Sequence, residues 1–150
     1  MAKRSNPLNQ QRSRARRVAL QALYQWQMAG QDLTDIERQF LSSEEEDHTP
    51  FDIGYFRELL HRVPGHLPEL DSQLQPLLDR PIAEVDPVER GLLRMGAYEL
   101  MFCPAVPYRV VINEAVELAK SFGAEQGHRY INGVLDKLAH RIRAEEIARR

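Results

Sequence analysis

The fold of this chain is decided by residues 86–103, DPVERGLLRMGAYELMFC, which predict a helix with apolar residues on nearly every side. Asp86 is a suitable N-cap and is followed by a proline, and Glu89 places a negative charge in the first turn. A helix with so little polar surface is expected to be surrounded by other helices. Gly91 and Gly96 would each cost about 1 kcal/mol relative to Ala, which favours close approach of neighbouring helices there.

The composition indicates one domain with its own core, since 43% of the 150 residues are hydrophobic. The single cysteine, Cys103, excludes an internal disulfide and a multi-cysteine zinc site. The start of the chain has no apolar run typical of a signal peptide, and no segment approaches the roughly 18 apolar residues of a membrane span. The sequence therefore predicts a soluble protein of a reducing cytoplasm, with no membrane partner.

Charge is distributed unevenly along the chain. Residues 1–31 hold six basic side chains and no acidic one, whereas the remaining residues hold 14 basic and 22 acidic side chains. A basic end on a mildly acidic protein suggests a polyanionic partner. The alternative is a solvated basic terminus that binds nothing.

The first predicted helix follows a polar stretch, residues 1–10, that is expected to be mobile, and it ends near Gly30. Its apolar stripe has Arg12 and Arg16 at one edge. A second face holds Arg17, Leu20, Tyr24 and Met28. Arginine forks suit phosphates and tyrosine stacks on unpaired bases, so this face could hold single-stranded RNA. Packing of its apolar side chains against a neighbouring helix explains the pattern equally well.

Helical periodicity continues through the rest of the chain, and no strand pattern occurs. A fourth helix is predicted to reach Asp79 despite Pro76, a sixth to end at Gly123 in a left-handed C-cap, and the tail from Arg141 to fray. Residues 42–47, with four consecutive acids, are predicted as a loop rather than a cation site.

These patterns predict an all-α protein of about seven helices in two small bundles around the central helix. We expect one domain, 1–150, with subdomains of roughly 10–65 and 66–145 and flexible ends at 1–9 and 146–150.

Motifs for catalysis are missing from the sequence: it has no phosphate-binding glycine loop, zinc-protease motif, nucleophile elbow or CxxC pair. The histidines lack metal-ligand spacing, and Glu114 and Glu117 are expected to be solvated or capping residues. We therefore predict no enzyme, no cofactor and no metal. The turn between the sixth and seventh helices does combine cations, amides and an aromatic, in Lys120, Phe122, Gly123, Gln126, Gly127, His128 and Arg129. Beside the N-terminal arginines, this turn would complete one basic surface for phosphates and unstacked bases.

The run VPYRVVINEAVELAKSFGAEQGHRYINGVLDKLA, residues 106–139, closely resembles the C-terminal signature of the NusB family of bacterial transcription antitermination factors. RSRARRVALQALYQWQ, residues 12–27, is similar to that family's first helix, and YFRELL and VERGLLRMGAYEL resemble its middle segments. The resemblance implies an all-helical fold of two subdomains and binding to boxA RNA of ribosomal RNA leader transcripts. It also implies a heterodimer with the small-subunit ribosomal protein NusE, and assembly with other Nus factors on RNA polymerase.

The resemblance also implies which residues form each binding surface. RNA contact is implied for Arg12, Arg14, Arg16, Arg17, Tyr24, Lys120, Phe122, Gly123, Gln126, His128 and Arg129. NusE contact is implied for Arg80, Glu84, Glu89 and Arg90. Gln126 stands where many family members carry an acid, which should weaken repulsion of RNA. The sequence leaves open whether the free protein is a monomer or a homodimer.

Two alternatives come from other classes of protein. A related helical module precedes the catalytic domain of certain ribosomal RNA cytosine methyltransferases, so the chain could be an enzyme fragment, although no cofactor-binding α/β domain follows. It could also be a structural oligomer whose basic face contacts its own acidic loop, and light scattering at varied salt would detect this.

Overall fold

The computed structural model describes residues 7–42 and 49–149. Within these residues it contains eight α-helices, two short 3-10 helices and no strand, which confirms the predicted all-α class. The chain divides into two compact units, Met1–Pro64 and Gly65–Arg150. The predicted acidic loop lies outside the described residues apart from Ser42, which ends a helix. No described helix is long and apolar enough to cross a membrane.

The first unit is built from three helices: α1 (Pro7–Ala29), α2 (Leu33–Ser42) and α3 (Ile53–Gly65). α1 begins at Pro7, earlier than predicted, because proline is well tolerated in the first turn of a helix. It ends at Ala29 and is followed by Gly30, whose φ of 64° suits glycine. Asp52 caps α3 by accepting a hydrogen bond from the Tyr55 amide at 2.9 Å.

The core of the first unit combines small residues of α1 with large residues of the other two helices. Ala15, Ala19 and Ala22 of α1 are fully buried, which allows the helices to approach closely. Phe56 of α3 is also fully buried, and its ring centroid lies 6.5 Å from that of Phe40 on α2. Aromatic packing therefore joins α2 to α3.

The second unit contains α4 (Leu67–Leu74), α5 (Pro87–Phe102), α6 (Tyr108–Phe122), α7 (Gly127–Ile142) and α8 (Ala144–Ala148). α5 is the predicted central helix, and α4, α6 and α7 pack against it. Asp86 caps it by accepting hydrogen bonds from the Val88 amide at 3.0 Å and the Glu89 amide at 3.3 Å. A Cβ on Gly96 would lie 2.7 Å from Leu135 Cδ1, which confirms close helix approach at that glycine.

Two predictions about helix ends are wrong. The predicted fourth helix stops at Leu74 and continues only as a 3-10 turn over Gln75–Leu77, because Pro76 lacks an amide hydrogen and crowds the preceding turn. Gly123 is extended, with φ −87° and ψ 175°, so it is not a left-handed cap. Glycine is required there for another reason: a Cβ would lie 2.8 Å from the Ala119 carbonyl oxygen.

The prediction that the C-terminal tail frays from Arg141 is wrong. Arg143 is buried, and its guanidinium donates to the carbonyl oxygens of Leu100 at 2.9 Å and Val106 at 3.0 Å. Glu146 accepts from Arg143 at 2.6 Å and from the Tyr108 amide at 2.9 Å. These contacts hold Arg143 and the short helix α8, which contains Glu146, against the end of α5 and the start of α6.

Candidate nucleic-acid interface

Arg12 and Arg14 connect the start of α1 to the start of α3. The Arg12 guanidinium carbon lies 4.3 Å from the centroid of the Tyr55 ring, and its Nε is 3.9 Å from Asp52 Oδ2. Arg14 donates to the Pro50 carbonyl oxygen at 3.0 Å. These contacts link both arginines to the residues just before and at the start of α3. Both side chains are half-buried, so part of each guanidinium stays in solvent.

Arg16 is placed differently from its neighbours. Only 3% of the residue is exposed, and its guanidinium carbon lies 5.4 Å from the Tyr55 ring centroid. This burial leaves Arg16 little surface for RNA in this structure, and the RNA contact implied for it stays a prediction. Its position at the edge of the apolar stripe turns it inward, whereas Arg17 is exposed.

The second face of α1 is only partly covered. Leu20 is 3% exposed and belongs to the core, as the packing alternative predicts. Tyr24 and Met28 are 41% and 58% exposed, which agrees with a face available to a ligand. Arg17 and Tyr24 thus lie on the solvent side of α1, as a surface for phosphates and bases requires.

The turn between α6 and α7 is tight and exposes polar side chains. Gln126 has a φ of 76°, the only positive value at a non-glycine residue in the described chain. The Gly127 amide donates to the Ala124 carbonyl oxygen at 2.9 Å, and the Arg129 amide donates to that of Gln126 at 3.1 Å. This geometry leaves Gln126 and Arg129 exposed.

The remaining side chains of the turn differ in exposure. Lys120 is exposed, and its Nζ lies 3.5 Å from Glu117, a surface pair that contributes little to stability. Phe122 and His128 are half-buried. The turn therefore has two exposed cations, an exposed amide and a half-buried aromatic.

The connector before α5 is held in place by Arg90. Its Nη1 donates to the carbonyl oxygens of Ala83 at 3.0 Å and Val85 at 3.4 Å. Burial lowers the pKa of Arg90 from its ordinary value, and nearby Arg94 lowers it further. Arg90 thus shapes the connector, while Glu84 is exposed on it.

Glu89 joins the connector side of the second unit to the turn before α7. It is 9% exposed, and a Cβ built on Gly127 would lie 3.0 Å from its Oε2. Burial raises the pKa of Glu89, and repulsion from Asp86 adds to this effect. Glu89, predicted to contact a protein partner, therefore lies beside Gly127 in the turn predicted to contact RNA.

Two candidate residues were missed by the sequence analysis. The Tyr130 hydroxyl donates to Asp79 Oδ1 at 3.1 Å, and Arg80 donates to the same carboxylate. Tyr130 follows directly after Arg129, and this sequence adjacency was the available signal. The pairing with Asp79, 51 residues away in sequence, was not predictable from spacing.

Metal-ligating side chains do not cluster in the described part of the chain: no group of three or more His, Cys, Asp or Glu is placed to hold an ion. The described residues form an all-helical fold that exposes cations and the aromatic Tyr24. The model of the NusB family matches residues 13–140. The chain therefore belongs to the NusB family.

Relatives and solved structures agree with this assignment. The chain is 55% identical over 143 residues to the transcription antitermination protein NusB of Nitrosococcus oceani, covering 95% of each chain. It is similar to the structure of T. maritima NusB, with 30% identity, a TM-score of 0.75, and coverage of 85% of this chain and 89% of that one. A crystal structure of antitermination factors NusB and NusE in complex with dsRNA matches with 27% identity and a TM-score of 0.75, covering 84% and 93%. Membership in a family of transcription antitermination proteins also confirms the prediction that the chain is not an enzyme.

Proposed function

We propose that this protein binds single-stranded boxA-type RNA of ribosomal RNA leader transcripts together with ribosomal protein NusE. In the same proposal it joins other Nus factors on RNA polymerase in the cytoplasm. The supporting observation is the matching solved structure, in which NusB and NusE are found with dsRNA. Single-stranded RNA is favoured for this chain because α1 exposes an arginine, Arg17, and a tyrosine, Tyr24, and unstacked bases bind such aromatics.

RNA contacts are proposed on two segments of the chain, α1 and the turn before α7, each considered within its own unit. α1 supplies exposed or half-buried side chains, and the turn before α7 supplies two cations, an amide and an aromatic. The RNA set is Arg12, Arg14, Arg17, Tyr24, Lys120, Phe122, Gly123, Gln126, His128 and Arg129. Phosphate contacts from the cations would position the strand, while Tyr24 and Phe122 would stack on bases.

The NusE surface would be the connector and the first turn of α5. Glu84 is exposed there and Glu89 lies at the edge of that surface, so both carboxylates suit a basic partner. Arg90 would act by holding the connector carbonyl groups in place. Because Glu89 packs beside Gly127, a protein bound at the connector would lie close to the RNA turn.

This closeness predicts cooperation between the two ligands. An RNA that touches both proteins gains affinity through effective concentration, so NusE should raise the affinity for RNA. Thermodynamic linkage requires that RNA raise the affinity for NusE by the same factor. Each single contact surface can then be weak without weakening the complex.

The test is fluorescence anisotropy of a labelled single-stranded boxA RNA and a scrambled RNA, each with and without NusE, at two salt concentrations. The proposal predicts preference for boxA, tighter binding with NusE, and weaker binding at the higher salt concentration. Equal affinity for the two RNAs would contradict boxA recognition. If NusE does not change the affinity for RNA and RNA does not change the affinity for NusE, a complex in which the RNA touches both proteins is contradicted. Tighter binding of double-stranded boxA would assign the surface to duplex RNA.

A further inference from the structure

Arg80 is held by the residue next to it in the sequence. Its Nε donates to Asp79 Oδ1 at 2.7 Å, and its Nη2 donates to Asp79 Oδ2 at 3.0 Å. This is a two-point contact in which the planar guanidinium matches the two oxygens of the carboxylate. A phosphate group presents oxygens of the same spacing and charge.

Tyr130 ties this pair to the first turns of α7. Its hydroxyl donates to Asp79 Oδ1 at 3.1 Å, and the Arg80 guanidinium carbon lies 5.3 Å from its ring centroid. The hydrogen bond from Arg80, with a further one from Tyr130, lowers the pKa of Asp79 to about 2. The carboxylate is therefore charged at neutral pH and occupies the fork of Arg80.

The contact is open to competition from a ligand. The side chain of Arg80 is 45% exposed and that of Asp79 is 62% exposed, so solvent and ligands reach both. Exposed ion pairs of this kind are weak, and a second anion can replace the first at little cost. Tyr130 follows Arg129 in the first turns of α7, so the three-residue contact involves the same end of that helix as this exposed cation.

We propose that Asp79 acts as an intramolecular substitute for an RNA phosphate, occupying Arg80 until the phosphate of a bound strand displaces it. This inference rests on the proposed RNA-binding function and adds a residue that sets its affinity. It moves Arg80 from the NusE surface, where the sequence resemblance puts it, to the RNA surface. The observation that favours RNA over a protein partner is the contact of Arg80 with Tyr130 on α7, next to the cationic turn.

The test compares binding of single-stranded boxA RNA to the full chain and to Asp79→Asn. The asparagine keeps an oxygen that accepts from Tyr130, so the fold is retained while the competing charge is removed. We expect the variant to bind about two- to fivefold more tightly, the range set by typical exposed ion pairs. Its log affinity should fall more steeply with log salt, by about 0.7, because one more phosphate is neutralised.

Two comparisons isolate the role of Arg80. Asp136→Asn removes the same charge from an exposed position on α7 and should change affinity less than Asp79→Asn does. In an Arg80→Ala background, Asp79→Asn should give no gain. An equal gain in either comparison would show a general charge effect and overturn the inference.

The remaining outcomes separate this inference from the function on which it rests. If the wild-type protein binds boxA RNA and Asp79→Asn does not bind it more tightly, the proposed role of Asp79 is overturned and the proposed function is not. Asp79→Asn protein that binds NusE more tightly, with unchanged RNA affinity, assigns Arg80 to the protein partner and also overturns it. Wild-type protein that binds no RNA overturns the proposed function and this inference together.

Discussion

The Arg16 guanidinium carbon lies 5.4 Å from the centroid of the Tyr55 ring, while the neighbouring Arg17 extends into solvent. Two adjacent arginines of α1 therefore have different roles. Arg16 packs its alkyl chain and charge inside the first unit, whereas Arg17 is exposed.

Arg16→Ala should lower the free energy of unfolding by about 1–3 kcal/mol, because buried packing and a cation–π contact are lost. Urea denaturation measures this change. Arg17→Ala should leave stability within about 0.5 kcal/mol and reduce the salt slope of RNA binding by about 0.7. A stable Arg16→Ala protein with a reduced salt slope would reverse these assignments.

Gly96→Ala should destabilise the second unit by about 1–3 kcal/mol, since the added methyl group would lie 2.7 Å from Leu135 Cδ1 in a fully packed core. Gly133→Ala on α7 is the matched control, because no atom lies within 4 Å of its added Cβ. The control should be neutral or stabilising by up to about 1 kcal/mol, from helix propensity alone. Similar unfolding free energies for the two variants would contradict the close approach of α5 and α7.

Arg143→Ala should cost about 2–4 kcal/mol in unfolding free energy, because several buried carbonyl oxygens lose a charged donor. Arg143 also donates to the carbonyl oxygens of Glu99 at 3.1 Å and Cys103 at 3.0 Å. Arg143→Lys should recover only part of the loss, since an ammonium group does not reproduce the planar fork. Chemical denaturation checks both variants, with exposed Arg141→Ala as a control expected to be near neutral.

The acid sensitivity of the first unit should depend on Glu37. His61 lies 2.7 Å from its carboxylate, and hydrogen bonds from His61 and then Arg57 lower the pKa of Glu37 below its ordinary value of 4.5. A lowered pKa contributes stability that is present above 4.5 and is lost as the pH falls through the folded value.

Glu37→Gln removes this titration. The wild type should be more stable than the variant near neutral pH, and the difference should shrink between about pH 5 and pH 3. Urea unfolding at a series of pH values measures it. A difference that stays constant over that range would show that the carboxylate gains nothing from His61 and Arg57.

Local features of the sequence predicted much of the fold. The Asp86 cap and the apolar surface of α5 depend on residues close in sequence, and the structure has both. In the turn between α6 and α7, the sequence predicted the left-handed residue at Gly123, but the structure has it at Gln126. A glycine in a turn can indicate either a positive φ or a lack of space for a side chain. Here the Ala119 carbonyl oxygen leaves no room for a side chain.

Residues whose role depends on distant contacts were the ones the sequence missed. The carbonyl oxygens that accept from the Arg143 guanidinium lie 37 to 44 residues earlier in the chain, so its charge alone predicted a solvated tail. RNA contact was implied for Arg16 by the family resemblance, and the helical pattern placed it only at the edge of a stripe. Its burial beside Tyr55 depends on a tertiary contact that the sequence does not show. Asp79 and Tyr130 are likewise joined only by tertiary structure.

We propose above all that α1 contacts RNA and that the turn before α7 contacts RNA as well. The most direct measurement is photo-crosslinking of a single-stranded boxA RNA that carries a photoreactive uridine at either end, followed by peptide mapping. The account predicts crosslinks from the same RNA to peptides containing residues 12–24 and to peptides containing residues 120–130. Crosslinks confined to one of these segments, or found instead on α2 and α3, would contradict it.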